Sequence, residues 1–79
     1  METRVAVISI IVSDPGEIEA LNRLLHEYAE YVIGRMGIPY REKNINIISI
    51  AIDAPMNRIN ALCGALGRLD GISSKVNYA

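Results

Sequence analysis

The sequence has little with which to do chemistry or to cross-link itself. Among 79 residues there is 1 cysteine, Cys63, and 1 histidine, His26. A lone thiol excludes an internal disulfide, and this usage fits a reduced compartment better than a stapled secreted domain. A cytoplasmic protein is expected. The carboxylates are dispersed, so no nucleophile has a base in a motif beside it, and an enzyme is not expected. No metal-binding constellation can be assembled either, and no cofactor is expected. Gly16 is no phosphate loop, because no glycine-rich cradle with a lysine surrounds it.

Long apolar runs and one-sided charge are missing too. No run approaches the ~20 residues that span a bilayer. The opening Met1-Glu2-Thr3-Arg4 has mixed charge and no small-residue cleavage pattern, so neither a signal peptide nor a membrane partner is expected. The 8 basic and 9 acidic residues give a formal net charge of -1 and are scattered. That excludes the electrostatic footprint of a nucleic-acid binder. With no linker, repeat or low-complexity stretch, residues 1–79 read as a single domain. A chain this short is near the size at which one core struggles to outweigh chain entropy, which favours partner subunits.

What the chain does have is apolar alternation on two faces at once. In Ile45 to Asp53 one set of side chains is Ile48, Ile50, Ile52 and the other is Ile45, Ile47, Ser49, Ala51. Such a strand is buried on both sides and central in its sheet. Val5 to Val12 repeats the pattern, with Ala6, Ile8, Ile10, Val12 against Val5, Val7, Ser9, Ile11, and a strand over Arg4 to Val12 should lie beside it.

Between them, Ser13-Asp14-Pro15-Gly16-Glu17 is a helix start: Ser13 or Asp14 caps free amides, and Pro15 suits the first helical position. Ile18, Leu21, Leu25 and Tyr28 then keep helical spacing, with Glu19, Asn22, Arg23 and Glu27 outward. Tyr31 to Ile38 reads as an edge-like strand and Pro39 to Asn44 as a polar turn, giving a hairpin with the central strand. Asp53 is a possible cap for a second helix from Pro55 to Leu66, carried by Ile59, Leu62, Cys63 and Leu66. After Gly67 and Gly71, a last strand runs from Ile72 to Tyr78 with Ile72, Ser74, Val76 and Tyr78 inward. The order β-α-β-β-α-β is that of an α+β, ferredoxin-like sandwich: a four-stranded antiparallel sheet with two helices on one face.

That architecture leaves a surplus. Two helices cover one sheet face, while the other still carries either Val5, Val7, Ser9, Ile11 with Ile45, Ile47, Ser49, Ala51, or the Ile48 set. An uncovered apolar face on so small a chain marks an interaction surface, and serines and alanine suit close approach of another sheet. The first set is the expected interface of a homodimer or homotetramer.

Val12-Ser13-Asp14-Pro15-Gly16, followed by Ile18 and Leu21, resembles the opening of ACT domains, small regulatory modules that bind amino acids in metabolic enzymes. Leu69-Asp70-Gly71-Ile72 is similar to their second half. His26-Glu27-Tyr28, Ile33-Gly34-Arg35-Met36-Gly37-Ile38-Pro39-Tyr40-Arg41 and Ile52-Asp53-Ala54-Pro55 resemble, over nearly the whole chain, the small family of iron-only hydrogenase system regulators. The fold is also similar to the sensing domain of nickel-responsive repressors, whose metal-binding histidines and cysteine have no counterparts here. The likeness implies an ACT-like regulatory domain, with Ser13, Asp14, Gly16, Gly34 and Arg35 as ligand contacts between subunits and an amino acid or similar small molecule as ligand.

Each of these residues also has a plainer reading. Asp14 and Gly16 cap and turn, Gly34 and Gly37 meet a bulge or close strand approach, and Arg35, Tyr40 and Arg41 form a solvated rim. His26 caps a helix end, and Cys63 is a small core residue. Two functions therefore stand side by side: a self-associating small-molecule sensor, or a module that docks another protein through its sheet face or edge with no small ligand.

Overall fold

The computed structural model describes residues 2–79. Its elements are β1 (Arg4–Val12), α1 (Ile18–Glu27), β2 (Val32–Tyr40), β3 (Ile45–Ala54), α2 (Met56–Gly67) and β4 (Ile72–Tyr78). The strands lie in the order β2-β3-β1-β4 and every neighbouring pair is antiparallel, which is the expected ferredoxin-like α+β arrangement. The two strands that are apolar on both faces, β1 and β3, occupy the centre.

Register decides which face the helices cover. Ala6 pairs with Ile52, Ile8 with Ile50 and Ile10 with Ile48, and all six side chains are buried. Against them pack Leu21 and Leu25 of α1 and Ile59, Leu62 and Leu66 of α2, with Tyr28 in the same cluster and Val76 and Tyr78 of β4 partly buried against it. Among the described residues no polar or charged side chain is buried. Apolar burial alone therefore holds the core, at about 1.5–3 kcal/mol for each fully buried aliphatic side chain.

Three local expectations need correcting. The helical entry opens at Pro15 behind Asp14 as expected, with Asp14 Oδ1 accepting a hydrogen bond from the Gly16 amide at 3.0 Å, but Pro15–Glu17 form a 3-10 turn and the α-helix proper, α1, starts only at Ile18. The short side chain of Asp14 competes for the first amides and holds the entry in a tighter turn. Asp53 caps nothing; it stays in β3 because Val5 still pairs with it, and Pro55 holds the cap position of α2 without a side-chain hydrogen bond.

The strand β2 starts and stops later than expected. Tyr31 belongs to a 3-10 turn, and pairing continues through Pro39 and Tyr40 opposite Asn46 and Ile45. Proline is tolerated there because β2 is an edge strand bonded on one side only. The hairpin closes through a 3-10 turn, Arg41–Lys43, and Asn44 in the left-handed region at φ 54, which asparagine accepts more readily than most residues.

Near the start of β2, Val32 pairs with Ile52 but Gly34 pairs with Ala51, so Ile33 is an extra residue and the strand bulges. Neither Gly34 nor Gly37 meets crowding, since a Cβ at either would find open space. The expected bulge lies beside Gly34; Gly37 pairs regularly with Ile48, and neither glycine meets a close strand approach.

Candidate functional site

Three regions carry the residues of interest. The largest is the helix-free face of the sheet. Cross-strand pairs place Val5, Val7, Ser9, Ile11 of β1 and Ile45, Ile47, Ser49, Ala51 of β3 on this side, so the alternation resolves in favour of that set. The bulge at Ile33 extends the patch. After it, Gly34, Met36, Ile38 and Tyr40 lie opposite Ala51, Ser49, Ile47 and Ile45 and share their face. Val7 is 40%, Ile38 46% and Met36 53% exposed. At the middle sit small residues, with Ser9 opposite Ser49; the polar margin is β4, where Ser73, Lys75 and Asn77 pair with Ile11, Ser9 and Val7.

The second region is the β1–α1 loop. Ser13 is tied to the loop before β4, its amide donating to the Gly71 carbonyl at 2.7 Å and its hydroxyl to the same oxygen at 3.0 Å. Gly71 has φ +69, and a Cβ there would come within 2.6 Å of Asp14 Cβ. Glycine is therefore required for two loops to touch. These bonds join the β1–α1 corner that carries Ser13, Asp14 and Gly16 to the loop before β4.

The structure does not bring Gly34 and Arg35 to that corner. Val12 ends β1 opposite Asn46, whereas Gly34 lies opposite Ala51, about 17 Å farther along the sheet at ~3.3 Å per residue. Gly34 lies on the open face and Arg35 on the helix face. Within one chain the five expected ligand contacts do not form one site: Ser13, Asp14 and Gly16 share the corner, while Gly34 and Arg35 lie on opposite faces of the sheet.

The third region was not read from the sequence as a site. Between α1 and β2 lies an open cleft of about 260 Å³ lined by Asn22, Leu25, His26, Ala29, Val32, Arg35 and Ile50. Asn22, Leu25 and His26 are neighbours across one turn of α1. Arg35 reaches the cleft because the bulge shifts the parity of β2; without the extra residue it would lie on the open face. Its Nη2 donates to Asn22 Oδ1 at 2.7 Å. Asn22, expected on the outer face of the helix, thus lies at its β2 edge. The helical spacing of Asn22 and His26 was visible in the sequence; the bulge that brings Arg35 to them was not.

Cys63 is half-buried on α2 against the core, and burial pushes its thiol pKa up. This keeps it protonated and weakly nucleophilic. Among the described residues no three of His, Cys, Asp and Glu gather into a group that could hold a metal. Among the described residues no helix is long and apolar enough to cross a membrane.

The chain superimposes on the uncharacterized protein TM1266 from Thermotoga maritima with a TM-score of 0.93 and 32% identity, over 98% of each chain. It also superimposes on part of a formyltetrahydrofolate deformylase from Pseudomonas putida KT2440, with a TM-score of 0.67 and 13% identity, over 92% of this chain and 28% of that one. At that identity the likeness concerns the fold alone. No curated protein matches the sequence. Residues 4–76 match the family described as "TM1266-like: Iron-only hydrogenase system regulator, putative", and the chain belongs to that family.

Proposed function

We propose that this chain is an ACT-like regulatory domain of the iron-only hydrogenase system that self-associates through its helix-free sheet face and responds to a small molecule. It acts in the cytoplasm by binding, without chemistry of its own. One observation carries the reading: a face built from β1, β2 and β3 has apolar side chains, with the polar residues of β4 at its margin, and both helices pack on the opposite face. Strands of 7 to 10 residues at ~3.3 Å per residue, spaced ~4.8 Å apart, make the whole sheet face, its polar β4 margin included, on the order of 500 Å². Two copies face to face bury on the order of 1,000 Å², close to the lower bound for a specific interface. A second copy of the same face is also the occupant its composition suits. Ser9 and Ser49 at the centre let two sheets approach closely, and Lys75 lies at the margin, where it keeps its water.

Association is testable through mass action. The melting temperature of an assembly rises with chain concentration, because dilution favours the dissociated chain, whereas that of a monomer does not. A concentration-dependent melt supports the reading. A melt independent of concentration, with a single-chain mass, sinks it and returns the sheet face to a different protein partner. Stabilisation by amino acids in the same melts tests the sensing part separately.

A further inference from the structure

The geometry points to the α1–β2 cleft as a binding site for a small monocarboxylate with a short apolar group, held head-first by Arg35. This rests on the reading of the domain as a small-molecule sensor and names the ligand class and the place. The cleft has a polar rim and an apolar floor: Asn22, His26 and Arg35 are exposed, whereas Leu25 and Ile50 are buried and Val32 is half-buried. No carboxylate lines it. Arg35 therefore meets a neutral amide and no counter-charge, and the hydrogen bond to Asn22 at 2.7 Å holds one edge of the guanidinium fork. The remaining N–H donors suit the two oxygens of a carboxylate, and His26 adds a further donor site.

The bulge makes the site specific to this strand. An extra residue at Ile33 places Val32 and Arg35 on the same side of β2, three residues apart, so the cation and part of the floor reach the cleft together. At about 260 Å³ the cleft is smaller than most drug-sized pockets, and it takes a ligand of a few heavy atoms. It lies wholly within one chain, so it does not need the partner copy that a contact at the β1–α1 corner would require.

The test is titration of the full chain, with isotope-labelled methyl groups, by isovalerate, isovaleramide and inorganic phosphate, followed by NMR. Isovalerate is expected to shift the Leu25, Val32 and Ile50 methyls saturably, while its uncharged amide, of nearly the same shape, leaves them in place. Arg35→Gln is expected to weaken isovalerate about tenfold or more, the scale of losing hydrogen bonds to a charged group. Arg35→Lys restores only part of it, because a point charge lacks the fork. Three results would overturn the inference: equal binding of acid and amide, no saturable shift with isovalerate into the tens of millimolar, or inorganic phosphate binding more tightly than isovalerate. Sedimentation of the same samples separates this from the assembly. A dimer with an empty cleft refutes the ligand and keeps the association, whereas a monomer that binds isovalerate refutes only the association.

Discussion

The two faces of the sheet are built from the same two central strands and nearly the same residue types, yet they have opposite fates. On the helix side Ile8, Ile10, Ile50 and Ile52 lie under Leu21, Leu25, Ile59, Leu62 and Leu66 and are closed to solvent. On the other side Val5, Val7 and Ile11 keep roughly two fifths of their surface in water. An isoleucine's contribution to folding thus depends on whether a second layer exists. Where the chain supplies that layer the residue holds the monomer together; where it does not, the same chemistry is free for a partner.

This contrast can be broken from either side. On the covered face, Leu62→Ala or Leu21→Ala is expected to destabilise the fold by about 2–5 kcal/mol, measured by urea denaturation, because the cavity cannot refill. A loss below about half a kcal/mol at both would mean that these helices do not form the cover. Next is the corner where two loops meet. Gly71→Ala adds a Cβ at 2.6 Å from Asp14 Cβ in a left-handed backbone and is expected to cost about 1–3 kcal/mol by the same assay. Unchanged stability there would show that the two loops separate readily.

On the open face, Val7→Thr should alter the isolated chain by no more than about 0.5 kcal/mol, since no second layer covers it, while weakening association. A core-sized loss under dissociating conditions would erase the difference between the faces. The smallest effect concerns Cys63. Its thiol pKa is raised by burial, so the folded state favours the protonated form. The resulting stability is present below the thiol's ordinary pKa and is lost as pH rises through the raised one. Native alkylation at neutral pH should accordingly be slower than in urea; equal rates would contradict the assignment.

Most of the fold could be read from the sequence, because the dominant signals were local. The alternation in Val5–Val12 and Ile45–Asp53 gave the central strands, and the spacing of Leu21, Leu25, Ile59, Leu62 and Leu66 gave the helices. What escaped depended on pairing across the chain. Asp53 resembles a cap until Val5 is seen to hold it in the sheet, and Pro39 resembles a turn until β2 is seen to be an edge. The candidate site was harder still. Arg35 was visible as a residue, but only the bulge at Ile33, a property of β2 against β3, turns it from the open face toward Asn22. The bonds from Ser13 to Gly71 likewise join loops far apart in sequence.

Whether the open face is an interface between copies of this chain is tested most directly by sedimentation equilibrium of the unmodified chain beside Ser49→Arg. Ser49 lies at the middle of the face, between Ser9 and Met36, so a guanidinium there is buried without a partner in the assembly but reaches water in the monomer. The expected result is a dimer or larger species at tens of micromolar for the unmodified chain and a folded monomer for Ser49→Arg. A stable monomer of the unmodified chain, or an assembly that persists in Ser49→Arg, would contradict it.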